Sequence, residues 1–509
     1  MPVRIQDFFR APPLPPEARR TYRLHLTYAL LDAAAGGILM NALLMATKTF
    51  GAADWQLPLR QLYSGIGMIG ALYLGSWMAG RRKMPFVFIP GLIGAVCVLT
   101  MPQFVDMPFY FLSLLGISAM FEILTRPAVT AIVRVNYPAE SRGEATGEVR
   151  KWSSLSFVAF SLTSAYVLHR ADAYQQGTGG PLGFPPAWLM QWVAVHVVHL
   201  LMLLAGVLSL AAFLVFRHIR VDKDMERERR DLRPEIGTSF LEAFRVIARD
   251  RRYCRYLLAC FVDGFFQMLY FPLLWSFFSG ELRFGYVGCT AMMHAIPALV
   301  AFAMTGVVGR VIDRSNPWIS WAGIRLVWGL DALLLAATPF YARYFPPALF
   351  LLPLLGRILR GSVQGGWWIM WWQIGVTHFA PPGEDTSRYM GIMAFLNGAV
   401  RMGASVAGMT LAAMSVPTGT LLIVGGLGVI ASSFYSLLQW RSERDDRTLA
   451  TVADFEAAYR HKYTAASYPP GHVDGEGTLG GGSGRHFNDA LWFHPPEQAR
   501  STNDQDTKE

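Results

Sequence analysis

The feature that most restricts this chain is a succession of twelve apolar stretches, beginning near Leu24, Pro58, Pro85, Pro108, Trp152, Trp188, Cys254, Val287, Trp318, Pro346, Tyr389 and Val416. A helix needs about 20 mostly apolar residues to cross the hydrocarbon of a bilayer. Inside it every backbone N–H and C=O must be satisfied without water. Twelve such stretches use most of the 509 residues and leave no room for a large soluble domain. The period-2 alternation of a closed outer-membrane barrel is missing. Composition agrees, with 53% of residues apolar and 16% charged, against about 45–50% and about 25% in soluble domains. The expected fold is an all-α integral membrane protein of twelve transmembrane helices.

Forty-five Lys and Arg against 36 Asp and Glu give a net charge of +9, and where that charge lies matters more than its size. With a cytoplasmic amino terminus, the short inner loops carry Arg81, Arg82, Lys83, Arg134, Arg142, Arg150, Lys151, Arg310, Arg314 and Arg388. The outer loops offer little beyond Lys48, Arg170, Arg283 and Arg343. The positive-inside rule therefore predicts a multi-pass protein of the plasma or inner membrane with both termini cytoplasmic. Nucleic acid is not an expected partner; the lipid bilayer is. Residues 1–21 are Pro-rich and charged with no apolar core before a cleavage site, so they read as a cytoplasmic segment rather than a removable signal, and the first span stays as an anchor. Cys97, Cys254, Cys260 and Cys289 fall in or beside apolar stretches without metal-ligand spacing and read as packing residues.

The longest polar interruption separates a first six-span half, 22–216, from a second, 253–440. The linker, 217–252, contains eleven basic and eight acidic residues. Ile236, Phe240, Leu241, Phe244 and Ile247 recur within it at helical spacing, as in a short amphipathic helix lying on the inner face of the membrane or on the protein's own inner mouth. The tail, 441–509, is polar, with a short helical pattern at 451–463 and a Gly-rich run at 475–484 that predicts disorder.

The two halves repeat. Asp32 in the first span matches Asp263 in the seventh at an offset of 231, and Gly75 matches Gly309 at 234. Pro138 and Gly147, nine apart, match Pro382 and Gly391, also nine apart, at 244. Six spans per unit give both copies the same orientation, related by an axis along the membrane normal.

With these features the chain resembles the major facilitator superfamily of secondary transporters over residues 22–440. Gly309, Asp313, Arg314 and Asn316 are similar to that family's Gly-x-x-x-Asp-Arg-x-Gly loop, with Asn316 at the last glycine, where a left-handed backbone is tolerated by Asn. The first-half copy, 75–83, has Ala79 and Gly80 at the expected Asp and Arg, while Arg82 and Lys83 keep the basic cluster. Arg357, Leu359, Gly361 and Gly365 resemble the family's Arg-x-Leu-x-Gly-x-x-x-Gly helix motif, and Arg142-Gly143 another familiar pattern. The resemblance implies two pseudo-symmetric six-helix halves, a cavity lined by the first, fourth, seventh and tenth helices, and gating by Asp313, Arg314, Arg82 and Lys83.

Ionisable groups at membrane depth cost roughly 2.5–3.5 kcal/mol each on insertion scales, so they should face a partner or a wet cavity. The helices that the resemblance places on the cavity carry Asp32, Glu122, Arg126, Asp263, Arg357 and Arg360, and the eleventh adds Arg401. Asp32, Glu122 and Asp263 are the candidate proton-coupling acids. Arg126, Arg357, Arg360, Gln364, Trp367, Trp371 and Arg401 are candidates for binding substrate. Glu122 and Arg126, four apart, can pair on one face, and by depth each half's first helix can pair with its fourth. The same groups could equally be salt bridges that assemble the bundle. Trp367 and Trp371 form a stripe able to wall a ring-bearing solute, and His294 could relay protons. Arg325 and Asp331 on the ninth span do not share a face, and the sequence gives Asp331 no role.

No P-loop, zinc-protease motif or nucleophile elbow is present, so neither an enzyme nor a resident cofactor or metal is expected. The predicted function is a monomeric secondary transporter moving a small organic solute by alternating access, with protons as the candidate coupling ion. The alternative is a non-transporting receptor or scaffold of the same fold.

Overall fold

The computed structural model describes residues 14–78, 81–137, 139–176, 187–219, 245, 249–371, 378–379 and 386–447. Among them the chain runs through α1 (Pro16–Met40, resumed as Ala42–Lys48), α2 (Leu59–Trp77), α3 (Pro85–Thr100), α4 (Pro108–Asn136), α5 (Ala139–Gln175) and α6 (Ala187–Phe216). The second series is α7 (Arg251–Glu281), α8 (Tyr286–Thr290, Ala291–Ala295 and Ile296–Arg314), α9 (Pro317–Ala342), α10 (Ala348–Ile369), α11 (Thr386–Ala413) and α12 (Thr418–Arg447). Nine of these contain a stretch long and apolar enough to cross a membrane. The amphipathic helix expected in the linker and the helical and Gly-rich stretches of the tail lie outside the described residues.

Local chemistry sets several helix starts. Proline occupies the first turn of α1, α3, α4 and α9, where its missing N–H costs nothing. Asp250 caps α7 by accepting the Tyr253 N–H at 3.0 Å, and Asn316 caps α9 by accepting the Trp318 N–H at 2.9 Å. The backbone of Asn316 is extended, at φ −63° and ψ 135°, so it stands at the last position of the loop signature as a helix cap and not as a left-handed residue.

The duplication read from the sequence is present in the packing. α1 packs on α5 and α6 as α7 packs on α11 and α12; α4 packs on α2 and α3 as α10 packs on α8 and α9; α3 meets α6 as α9 meets α12. The halves meet through α2 against α11 and α5 against α8, contacts that exchange under the same symmetry. At the first of these the backbones nearly touch: a Cβ on Gly65 would lie 2.7 Å from the Gly398 carbonyl oxygen, and one on Gly398 would lie 2.8 Å from that of Gly65.

The apolar core is divided unequally along the bundle axis. At the end distant from the termini, one cluster runs through both halves, joining Leu44, Phe111 and Ala165 to Tyr270, Phe278 and Met292. At the terminus end the cores are separate: Tyr28, Ile132 and Phe216 belong to the first half, and Tyr256, Trp321 and Ile392 to the second. Among the described residues the core is therefore shared between the halves at the distal end and separate at the terminus end.

Candidate solute-binding site

The two halves place their ionisable residues in opposite settings, because α9 carries charge and its counterpart α3 carries none. In the second half, Arg325 points from α9 toward α7 and α12, where its Nε lies 3.6 Å from Asp263 Oδ2 and its Nη1 donates to Ser436 Oγ. Six residues on, Asp331 leaves another face of α9 toward α10, accepting from Arg357 and lying 3.6 Å from Arg360 Nη1. Asp263, Arg325, Asp331 and Arg357 are all fully buried. Their cost at membrane depth is offset only by one another.

The expected pairing of Asp263 with Arg360, first helix to fourth, does not form here, since α9 supplies each with a nearer partner. That gives Asp331 its role. The guanidinium faces are used too: Arg360 stacks 4.5 Å from the Trp328 ring centre and Arg325 4.5 Å from that of Trp321. Between them Trp328, Trp367, Trp371 and Trp321 follow one another at centroid distances of 5.2, 5.2 and 5.8 Å. An aromatic column with an arginine at each end thus joins α9 to α10. Trp371 is buried in that column and Trp367 half-buried, so the face expected as a substrate wall is turned into the second half. Gln364, one turn from Arg360, is exposed.

In the first half the partners are few. Arg126 donates to Glu122 on its own helix at 2.8 Å, with the two side chains 56% and 45% exposed. Asp32 makes no ion pair among the described residues, although Glu122 and Arg126 act on it electrostatically. Asp32, Glu122 and Arg60 line a cavity of about 290 Å³ whose other walls include Ser118, Phe157 and Phe213. All of its lining residues belong to the first half. Arg60 Nε has no hydrogen-bond partner among the described residues. Beside it Gln61 accepts from Arg401 Nη1 at 3.0 Å, and Asn397 accepts from Arg401 Nε at 3.3 Å, so this α11 arginine reaches across to α2.

Sequence reading missed Arg60, which opens the second apolar stretch and passes for an interfacial residue. A cation followed by Gln61 at the start of a helix that must cross the other half was the available signal. It also missed Asn41, where α1 breaks. The buried Asn41 amide donates to Ser161 O at 2.9 Å and Ser164 Oγ at 2.8 Å on α5, and its Oδ1 accepts from Thr290 of α8 at 2.6 Å. Farther out, Thr49 and Tyr286 hydroxyls lie 2.6 Å apart and Lys48 Nζ donates to Phe284 O at 3.0 Å. These contacts cross between the halves at the sealed end. His294 stands beside this seam in a π-helical turn of α8, its ring against Phe157 and Trp275.

The expected gating residues are less gathered. Arg82 and Arg314 are exposed, and Lys83 Nζ donates to Met78 O. Asp313 lies within α8, and its side chain is outside what the structure describes.

A family model described as Major Facilitator Superfamily matches residues 176–405. No curated protein matches the chain. Among solved structures, the nucleoside transporter NupG is similar at TM-score 0.58 and 13% identity, covering 83% of this chain and 98% of that one. A bacterial homologue of the human lysosomal transporter Spinster, in an inward-facing and occupied conformation, is similar at 0.55 and 14%, covering 90% and 99%. The xylose transporter XylE from E. coli, partially occluded and inward open, is similar at 0.53 and 12%, covering 84% and 97%. At these identities the likeness is one of fold: the chain has the multi-helix membrane fold of these structures, and over residues 176–405 it is similar to the major facilitator superfamily.

Proposed function

We propose that the protein is a secondary transporter that moves a small organic solute by alternating access and binds it at Asp32, Arg60, Glu122, Arg126 and Arg401, on the first half's wall and the α2–α11 seam. The observation that carries this reading is the contrast between a core shared by both halves at one end and separate cores at the other. A bundle held together at one end and divided at the other can rock about the α2–α11 and α5–α8 contacts and expose its middle alternately. With the termini cytoplasmic, as the loop charges predict, the divided end is the cytoplasmic mouth.

Asp32 and Glu122 serve as the proton-coupling acids. Both line the cavity; Arg126 pairs with Glu122 on α4 and acts electrostatically on Asp32 of α1, so a shift of α4 against α1 changes the surroundings of Asp32 while the Glu122–Arg126 pair moves as a unit. Asp263 has a different role: its burial against Arg325 supports a structural ion pair. Arg357 and Arg360 hold α9 to α10 through Asp331, and the tryptophan column stiffens the same seam.

Purified protein in sealed vesicles, tested for solute flux with and without an imposed proton gradient, checks the reading. Flux that the gradient drives in the wild type and not in Asp32→Asn supports it. Folded protein that moves none of a broad set of metabolites would favour the receptor or scaffold alternative.

A further inference from the structure

The guanidiniums of Arg60, Arg126 and Arg401 act on one another around two carboxylates, Asp32 and Glu122, and Arg150 of α5 acts on Arg126 beside them, so positive charge is in excess. The excess is not spread evenly. Arg126 is committed to Glu122. Arg401 is held by the neutral oxygens of Gln61 and Asn397, which orient its fork without cancelling its charge. Arg60 makes no ion pair among the described residues, and its Nε, shielded from solvent, has no acceptor. Among the described residues Asp32 is the cavity carboxylate without an ion-pair partner, and Asp263 and Asp331 of the second half are held by Arg325, Arg357 and Arg360.

We infer that the solute is a small organic anion whose carboxylate is received by Arg60 at the cavity wall, with Arg401 supporting it from across the α2–α11 seam. A guanidinium presents a planar fork matched to a carboxylate, and inside a low-dielectric bundle that charge-assisted contact is worth more than in water. The remainder of the solute meets an apolar surface, since Ala33, Leu39, Phe157 and Phe213 line the same cavity. Size follows from the volume: about 290 Å³ lies at the low end of the roughly 300–1,000 Å³ of small-molecule sites, which suits a carboxylate on a single small ring or short chain. A proton accepted by Asp32 raises the positive excess by one charge, so proton and anion favour each other's binding.

This assignment rests on the transporter reading for the location of the site, and the test separates the two. The full-length protein is purified in detergent and its thermal unfolding followed with benzoate, benzamide and benzylammonium at matched ionic strength, three solutes of one shape carrying negative, neutral and positive charge. Pyruvate and cyclohexanecarboxylate extend the anion arm, and inorganic phosphate serves as an anion without an apolar body. Expected is stabilisation by at least one organic carboxylate and by none of the other three. In Arg60→Gln the half-saturating concentration should rise roughly tenfold or more, the loss of about one charge-assisted hydrogen bond. Should Arg60→Gln not purify, Arg60→Lys, which keeps the charge and loses the fork, should show the same direction. Equal protection by benzamide or benzylammonium, protection by phosphate alone, no protection by any carboxylate, or unchanged binding in both Arg60 variants would overturn the inference. Counterflow of the protecting carboxylate in vesicles, against protein-free vesicles, is read separately. Protection without counterflow keeps the anion site and removes transport, whereas flux of a neutral or cationic metabolite without carboxylate protection keeps transport and removes the anion.

Discussion

Asp331 of α9 and Arg357 of α10 face each other with neither side chain exposed, and Arg360 completes the group from the next turn. Removing the carboxylate alone leaves two guanidiniums buried at membrane depth. Asp331→Asn should therefore destabilise the protein by about 3–5 kcal/mol, the usual cost of breaking a buried ion pair. Removing both members of the close pair, as Asp331→Leu with Arg357→Leu, should cost less than the single change. Thermal unfolding in detergent measures both, and a double variant less stable than Asp331→Asn would contradict the account.

Asn41 ties α1 to α5 and reaches Thr290 across the sealed end, beside the fully buried Cys289. Asn41→Ala should open that end more often and speed maleimide labelling of Cys289 severalfold, read by mass spectrometry of its peptide. Labelling as slow as in the wild type, in a folded variant, would mean that the apolar core alone holds the seal.

The close approach of Gly65 and Gly398 leaves no room for a side chain on either helix. Gly398→Leu should push α11 from α2 and shift Arg401 off Gln61, lowering both stability and solute uptake. Gly147, whose Cβ would meet nothing within 4 Å, is the control position, and Gly147→Ala should leave uptake unchanged.

Trp371 packs between Trp321 and Trp367 and away from the first half's cavity. Trp371→Ala should cost about 3–5 kcal/mol in stability, as large-to-small changes in a core do, with solute affinity within twofold of wild type in the protein that folds. A loss of affinity beyond that would return the tryptophan stripe to the binding surface.

Asp32→Asn should abolish proton-driven accumulation and spare solute exchange that needs no gradient, because it removes a proton site and keeps the cavity's shape. Paired uptake and exchange assays in vesicles decide it; accumulation at wild-type level in both Asp32→Asn and Glu122→Gln would rule out coupling at these acids.

The sequence by itself determined the bundle. Twelve stretches of membrane length, a polar break after the sixth, and Asp32 and Asp263 at matching depths pointed to the class, the duplication and the family resemblance, because helix spans and repeats are written locally along the chain. The Glu122–Arg126 pair was legible for the same reason, since a spacing of four on a helix implies contact. Which charge meets which across helices was not legible. Asp32 and Asp263 occupy equivalent places, yet one lines a cavity and the other is sealed against Arg325, and the difference comes from the helix between: α3 brings glycines and aliphatic residues where α9 brings Arg325 and Asp331. Likewise the stripe of Trp367 and Trp371 reads identically whether it faces a solute or another tryptophan. Only the tertiary structure decided that it faces α9, because the rotation of a helix within a bundle is set by what its neighbours offer to bury, and a span that is apolar on most of its faces does not record that choice in its own sequence.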